Sequence, residues 1–183
     1  VFLTVLLGST AAAGAGESFM LLVNPVTGAV AMRSDFSSTV WIDQYAITSA
    51  AGDLTPAGWN SLEDQLVAGW DETAITATLL SEANASGETS FQTGTGFSLG
   101  AVFETLFAAQ DLVFQYRLAG SETPSLGVVT YGIFAPPPNP VQVPMPCLGD
   151  TNDSGAVDVD DLVSVILNWG ACSSHPACGA EPA

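Results

Sequence analysis

The sequence predicts a mainly β protein: a β-sandwich or jelly roll, followed by a small loop–helix module. Three observations carry that expectation. Short runs with alternating apolar and polar residues recur through residues 17–134, separated by Gly, Ser and Asn, as strands are by tight turns. A proline-rich break follows at 135–146. Beyond it, in 147–183, an acidic loop of twelve residues leads into apolar residues at helical spacing.

The strands are taken in order. Phe19–Val23 and Gly28–Arg33 read as a hairpin around Asn24-Pro-Val-Thr-Gly28. Thr39–Thr48 is the clearest strand. Val40, Ile42 and Gln44 fall on one face, Trp41, Asp43, Tyr45 and Ile47 on the other. Both faces are partly apolar, which suits a strand buried inside a sandwich. Ser49–Asn60 reads as a long loop and Ser61–Gln65 as one helical turn. Further strands are expected at Ile75–Ser81, Ser90–Gln92, Phe97–Leu99, Leu112–Leu118 and Gly127–Phe134, with a turn at Asn84–Gly87. In Leu112–Leu118 the apolar Leu112, Phe114, Tyr116 and Leu118 alternate with Val113, Gln115 and Arg117.

Ahead of these strands, Val1–Leu7 is an apolar run followed by small residues through Gly16. This is the make-up of a secretory signal peptide, with cleavage expected near Ala15 or Gly16. The run is too short to span a bilayer, and no other stretch reads as a span. Without Met or basic residues before it, the stretch reads as cut at its front. Residues 135–146 carry clustered prolines and read as a stiff, extended spacer.

The loop runs from Asp150 to Asp161. Asp150, Asn152 and Ser154 place an oxygen at every second position, Gly155 stands sixth, Asp158 ninth and Asp161 twelfth. A chain that curls around one calcium ion needs this spacing, because alternate side chains point inward and a glycine takes the sharp bend. Ala156 would offer its backbone carbonyl, and Val157 would turn inward as an apolar anchor. The expected metal ligands are therefore Asp150, Asn152, Ser154, Ala156, Asp158 and Asp161, and the expected cofactor is calcium. Leu162, Val165, Ile166 and Trp169 then repeat at helical spacing, with acids at the helix start and Gly170 at its end. Loop and helix together make an EF-hand-like half-unit.

With its lead-in Cys147-Leu-Gly149-Asp150 and its close Trp169-Gly-Ala-Cys172, this stretch resembles a dockerin type I repeat over residues 147–178. The resemblance implies calcium-ordered docking to a protein partner, cohesin-like or the chain's own sandwich. Ser154 stands where the family usually has Asp, and Val159-Asp160 where it usually has a Ser/Thr pair. Cys178-Gly-Ala-Glu181 repeats the lead-in, as though a second repeat were beginning. Upstream, Leu22-Val-Asn-Pro-Val-Thr-Gly-Ala-Val30, Tyr45-Ala-Ile-Thr-Ser-Ala-Ala-Gly-Asp-Leu54 and Gly58-Trp-Asn-Ser-Leu62 resemble a domain that recurs in secreted bacterial proteins. That domain implies a location and a fold, with no settled activity.

Charge narrows the function classes. Nineteen acids face two arginines and no lysine, for a formal net charge of −17. Two arginines are too few to meet phosphates or anionic lipid, so nucleic acid and membrane surfaces are not expected partners. The balance suits a secreted protein, extracellular or at the cell surface.

Cys147, Cys172 and Cys178 all lie in the C-terminal module, and export favours a disulfide. Cys172 and Cys178 would close a short local loop and are the first choice. Cys147–Cys172 is the alternative pairing, and zinc with His175 a further one.

No His or Cys precedes the linker, which leaves no thiol or His-activated nucleophile there. Glu63, Asp64, Asp71 and Glu72 read as acids on a solvated loop rather than a glycosidase pair. Planar aromatics on a sandwich can stack on sugar rings, and Trp59 and Trp70, in the long loop, are the candidates for a polysaccharide site. The sequence thus points to a secreted non-enzymatic protein with a calcium-binding docking module. A carbohydrate-binding module and a structural surface protein are the alternatives.

Overall fold

The structure, a computed structural model, describes residues 17–105, 108–143, 149, 151, 157 and 159–168. The chain divides into two compact units, Val1–Val143 and Pro144–Ala183.

In the first unit, β1 (Phe19–Val23) and β2 (Ala29–Ser34) form the predicted hairpin. The Asn24 side chain accepts the amides of Val26 and Thr27, which holds the turn. β3 (Val40–Thr48) departs from simple alternation. Ile42 lies opposite Leu118 and Gln44 opposite Arg117, so Asp43 is an extra residue, a β-bulge. The bulge turns the second half of the strand over. Ile42, Tyr45 and Ile47 then all face one core, where strict alternation sets Ile42 against the other two. The Arg117 Nε donates to Asp43 at 2.7 Å, so the displaced residue is held by a charge.

The strand expected at Ile75–Ser81 is two strands, β4 (Trp70–Ile75) and β5 (Leu79–Asn84), with a turn at its centre. That turn contains no Gly, Pro or Asn. Its bond is made instead by Thr76, whose hydroxyl accepts the Leu79 amide at 2.9 Å, while the Thr76 amide donates to the Leu79 carbonyl. β6 (Thr89–Phe91) and β7 (Gly96–Ala101) follow. β5 and β6 pair in succession along one edge of β3, and β8 (Val113–Leu118) takes the other.

The strand expected at Gly127–Phe134 also divides. β9 (Ser125–Leu126) pairs with β8, and β10 (Val128–Tyr131) pairs in parallel with β1. Gly127 is the crossing point between the sheets. A Cβ there would meet the Phe114 ring and the Phe19 carbonyl.

The result is two sheets, β10-β1-β2-β7 and β4-β5-β3-β8-β9 with β6 beside β3. Their facing sides share one core, in a sandwich-like arrangement. Phe19 of the first sheet meets Phe91 and Tyr116 of the second edge-to-face, each with centroids 4.9 Å apart. Phe114, Ile47, Leu80, Val30 and Met32 complete the middle of this core.

The long loop does not wander over the surface. Residues 54–60 run along the open side of β7: the Thr55 amide donates to the Val102 carbonyl and the Asn60 amide to the Leu99 carbonyl. The backbones come so close that a side chain on Gly100 (φ +85°) would overlap the Gly58 carbonyl.

The first part of the proline-rich segment is likewise fastened to this unit. The Gly96 amide donates to the Pro138 carbonyl, and Val141 exchanges bonds with the Gln92 side chain. The Val143 amide donates to the Ser90 hydroxyl and the Val143 carbonyl accepts the Trp41 indole. Prolines keep this stretch extended, and its remaining amides and carbonyls are met mostly by side chains at the sheet border. The spacer expected over 135–146 therefore belongs to the first unit as far as Val143.

The second unit contributes α1 (Val159–Asn168), within the helix predicted from the apolar repeat. Asp160 and Asp161 lie in its first turn, where the amide ends favour negative charge. No helix among the described residues is long and apolar enough to cross a membrane.

Candidate functional site

Of the predicted calcium ligands, Asp161 is described. Asp150, Asn152, Ser154, Ala156 and Asp158 lie outside the described residues, as do Cys147, Cys172, Cys178, Trp169, Gly170, His175 and the segment 1–16. Asp161 is 2% exposed although it is an acid in the first turn of a surface helix. Its Oδ1 accepts the Thr151 amide at 2.7 Å, and the Thr151 hydroxyl donates to the Asp161 carbonyl at 3.2 Å. The second and twelfth positions of the loop are thus tied together. Gly149, at φ +103°, sits against Val157.

Val157 does not turn inward as the eighth-position anchor. It is mostly exposed. The helix is unusual in the same way. Val159, Leu162, Val163, Val165, Ile166 and Leu167 are all exposed, so its apolar side is a surface.

Trp59 and Trp70 are both core residues, 7% and 3% exposed. Trp70 donates its indole N–H to the Thr89 hydroxyl at 2.7 Å and packs against Tyr45. Trp59 bridges to Gly100 beside β7. Neither presents a ring face for a sugar. The sequence places both in a loop; Trp70 instead opens β4, and the loop that carries Trp59 is folded against β7, which withdraws these two residues as a stacking platform.

The loop is held by a group that sequence reasoning passed over. Glu82, in β5, has a fully buried carboxylate. It accepts the Tyr45 hydroxyl, the Leu62 amide (2.9 Å) and the Glu63 amide (2.9 Å). Those two amides open the helical turn that begins at Ser61, whose hydroxyl accepts the Asp64 amide as an N-cap. Burial pushes the Glu82 carboxyl above the ordinary glutamate range, with the nearby Glu72 adding to it; its hydrogen bonds pull the other way and lose. Tyr45 is held well above its usual range by burial and by Glu82. One signal was available: a lone acid amid the apolar and small residues Leu79–Asn84 has to find donors if that strand is buried.

Glu63, in turn, accepts the Glu72 amide at 2.8 Å. These acids organise a loop, and Glu82 is closed off from any substrate. The outer side of the second sheet has a depression lined by Gln44, Ala46, Gln115 and Pro124, holding about 50 Å³. That is well short of the roughly 300 Å³ at which small-molecule sites begin. Among the described residues no three His, Cys, Asp or Glu side chains converge as a metal would require. No protein-family model, curated protein or solved structure matches the chain.

Proposed function

We propose that the protein is a secreted, non-catalytic docking protein. In this reading a sandwich-like unit carries an EF-hand-like, dockerin-like module, and calcium orders the loop Asp150–Asp161. Calcium binding holds α1 in shape and offers its apolar side to a protein partner. The observation that carries the reading is the buried Asp161 bonded back to Thr151. A carboxylate taken out of water at the end of an acidic loop needs donors or a cation, and the tie to Thr151 brings both ends of the loop to one place. The exposed Leu162 and Ile166 support docking, since apolar side chains gathered on a short helix gain by being covered.

Titration of the full chain with calcium, followed by calorimetry and far-ultraviolet circular dichroism, tests the reading. The expected result is a saturable heat with a gain of helix, reversed by EDTA and lost in Asp150→Ala and Asp161→Ala. An affinity anywhere tighter than about a millimolar would serve outside the cell. A chain that takes up no calcium, or takes it up with no structural change, overturns the proposal.

A further inference from the structure

One border of the first sheet is left open. β10 is its outermost strand and pairs only with β1 among the described residues. The Gly132 amide donates to the Val23 carbonyl at 2.8 Å, which sets the alternation along β10. The backbone groups of Val128 and Thr130 turn toward β1, and those of Val129 and Tyr131 turn to the open side. The opposite border, at β7, is covered by residues 54–60, and β6 is covered by residues 141–143. Among the described residues these two borders are covered, whereas β10, like β4 at the end of the second sheet, has one partner strand.

The bare border is also uncharged. From Thr123 to Gly149 there is no Asp, Glu, Lys or Arg, in a chain of net charge −17. Exposed edge strands are ordinarily guarded by charge. Here Leu126, Val128 and Ile133 stand 67%, 50% and 88% exposed along the strip.

We infer that β10 is a self-association edge: it adds to the β10 of a second copy of this chain, antiparallel, across a two-fold axis. Charge selects this occupant. The nineteen acids all lie outside residues 123–149, and both arginines are already engaged, Arg33 with Asp35 and Arg117 with Asp43. This strip carries no acid of its own, and Asp53 and Asp111 lie only toward its Tyr131 end, so two such acidic chains approach here with less repulsion. A basic partner would be drawn to the acidic surfaces instead. Pro124 and Pro136 bracket the strand and limit the ladder to a few residues, so pairing uses up the edge and closes as a dimer rather than growing into a fibre. The inference stands apart from the calcium reading, because it involves the first unit alone.

Sedimentation velocity on the full chain, from about 1 µM to about 1 mM, reads the result directly. The expected outcome is a monomer that becomes a dimer with concentration. Dimerisation should strengthen in added salt, which screens the residual charge repulsion, and stay unchanged in EDTA. Val129→Pro removes an amide on the open side, and Thr130→Glu sets like charges facing across the axis. Either should return the monomer with an unaltered circular dichroism spectrum; if Val129→Pro does not fold, Thr130→Glu decides. A chain that stays monomeric throughout overturns the inference. So does a dimer that survives the folded variant, weakens in salt or requires calcium.

Discussion

Tyr45 and Glu82 face each other inside the sandwich, the phenol donating to the carboxylate, and that pair is where the long loop is tied to the second sheet. β3 supplies the donor and β5 the acceptor. The remaining capacity of the carboxylate goes to the amides of Leu62 and Glu63.

Replacing Glu82 with Gln keeps the volume but turns an amide NH₂ toward groups that are themselves donors. The expected loss is about 2 kcal/mol, read from the urea midpoint. Its pH dependence has a definite sign. The folded-state value is raised, so the stability Glu82 contributes is fully present below the unfolded glutamate value and is lost as pH rises through the folded one. The gap between wild type and Glu82→Gln should therefore be widest in acid and narrow as pH rises through that window. A gap that widens with pH would show that the hydrogen bonds outweigh burial.

Gly127 is where the chain changes sheets, with Phe114 and the Phe19 carbonyl against its Cα. Gly127→Ala should cost about 1–3 kcal/mol through overpacking. A thermal melt checks this, and an unchanged midpoint would mean that the crossing is looser than it looks.

Leu66 ends the helical turn that starts at Ser61. It lies at φ +59°, the one non-glycine residue in the left-handed region among the described residues, and is 90% exposed. The Val67 amide reaches back to the Leu62 carbonyl, the closing bond of a helix end that ordinarily uses glycine. Leu66→Gly should stabilise by about 0.5–1 kcal/mol, since relief of the strain exceeds the added freedom of the unfolded chain. A loss of stability in chemical denaturation would show that the leucine side chain is held.

Trp70→Ala should behave as a core deletion, with a loss of about 3–5 kcal/mol. Glycan pull-down alongside denaturation separates the two roles. A folded variant of unchanged stability that has lost polysaccharide retention would restore the residue as a binding platform.

The strands legible in the sequence were those whose alternation is uninterrupted, such as Phe114 and Tyr116 in β8, and the hairpin whose turn carries Asn24. Where the sequence misled, a local device broke the period. The bulge at Asp43 moves Ile42 and Tyr45 to one side, and no count of alternating residues shows an insertion that only the partner strand defines. The Thr76 turn is built from a residue that favours strands. The change of sheet at Gly127 is a tertiary event within an apolar run. Trp59 was misplaced for a related reason: a loop that docks through backbone bonds, as at Thr55 and Asn60, carries no periodic mark, and Trp70 was misplaced because β4 starts there, ahead of the expected strand. In the second unit the helix was legible because Leu162, Val165 and Ile166 recur at its period.

The pairing of β1 with β10 bears on how the molecule comes into being. Met20 lies opposite Val128, 108 positions later in the chain. A contact of that separation closes late, because the loop entropy between its ends has to be met before the ladder returns anything. A chain emerging from the ribosome therefore carries its first strand half-paired until Tyr131 has followed. The first sheet is completed only once nearly the whole unit has been made.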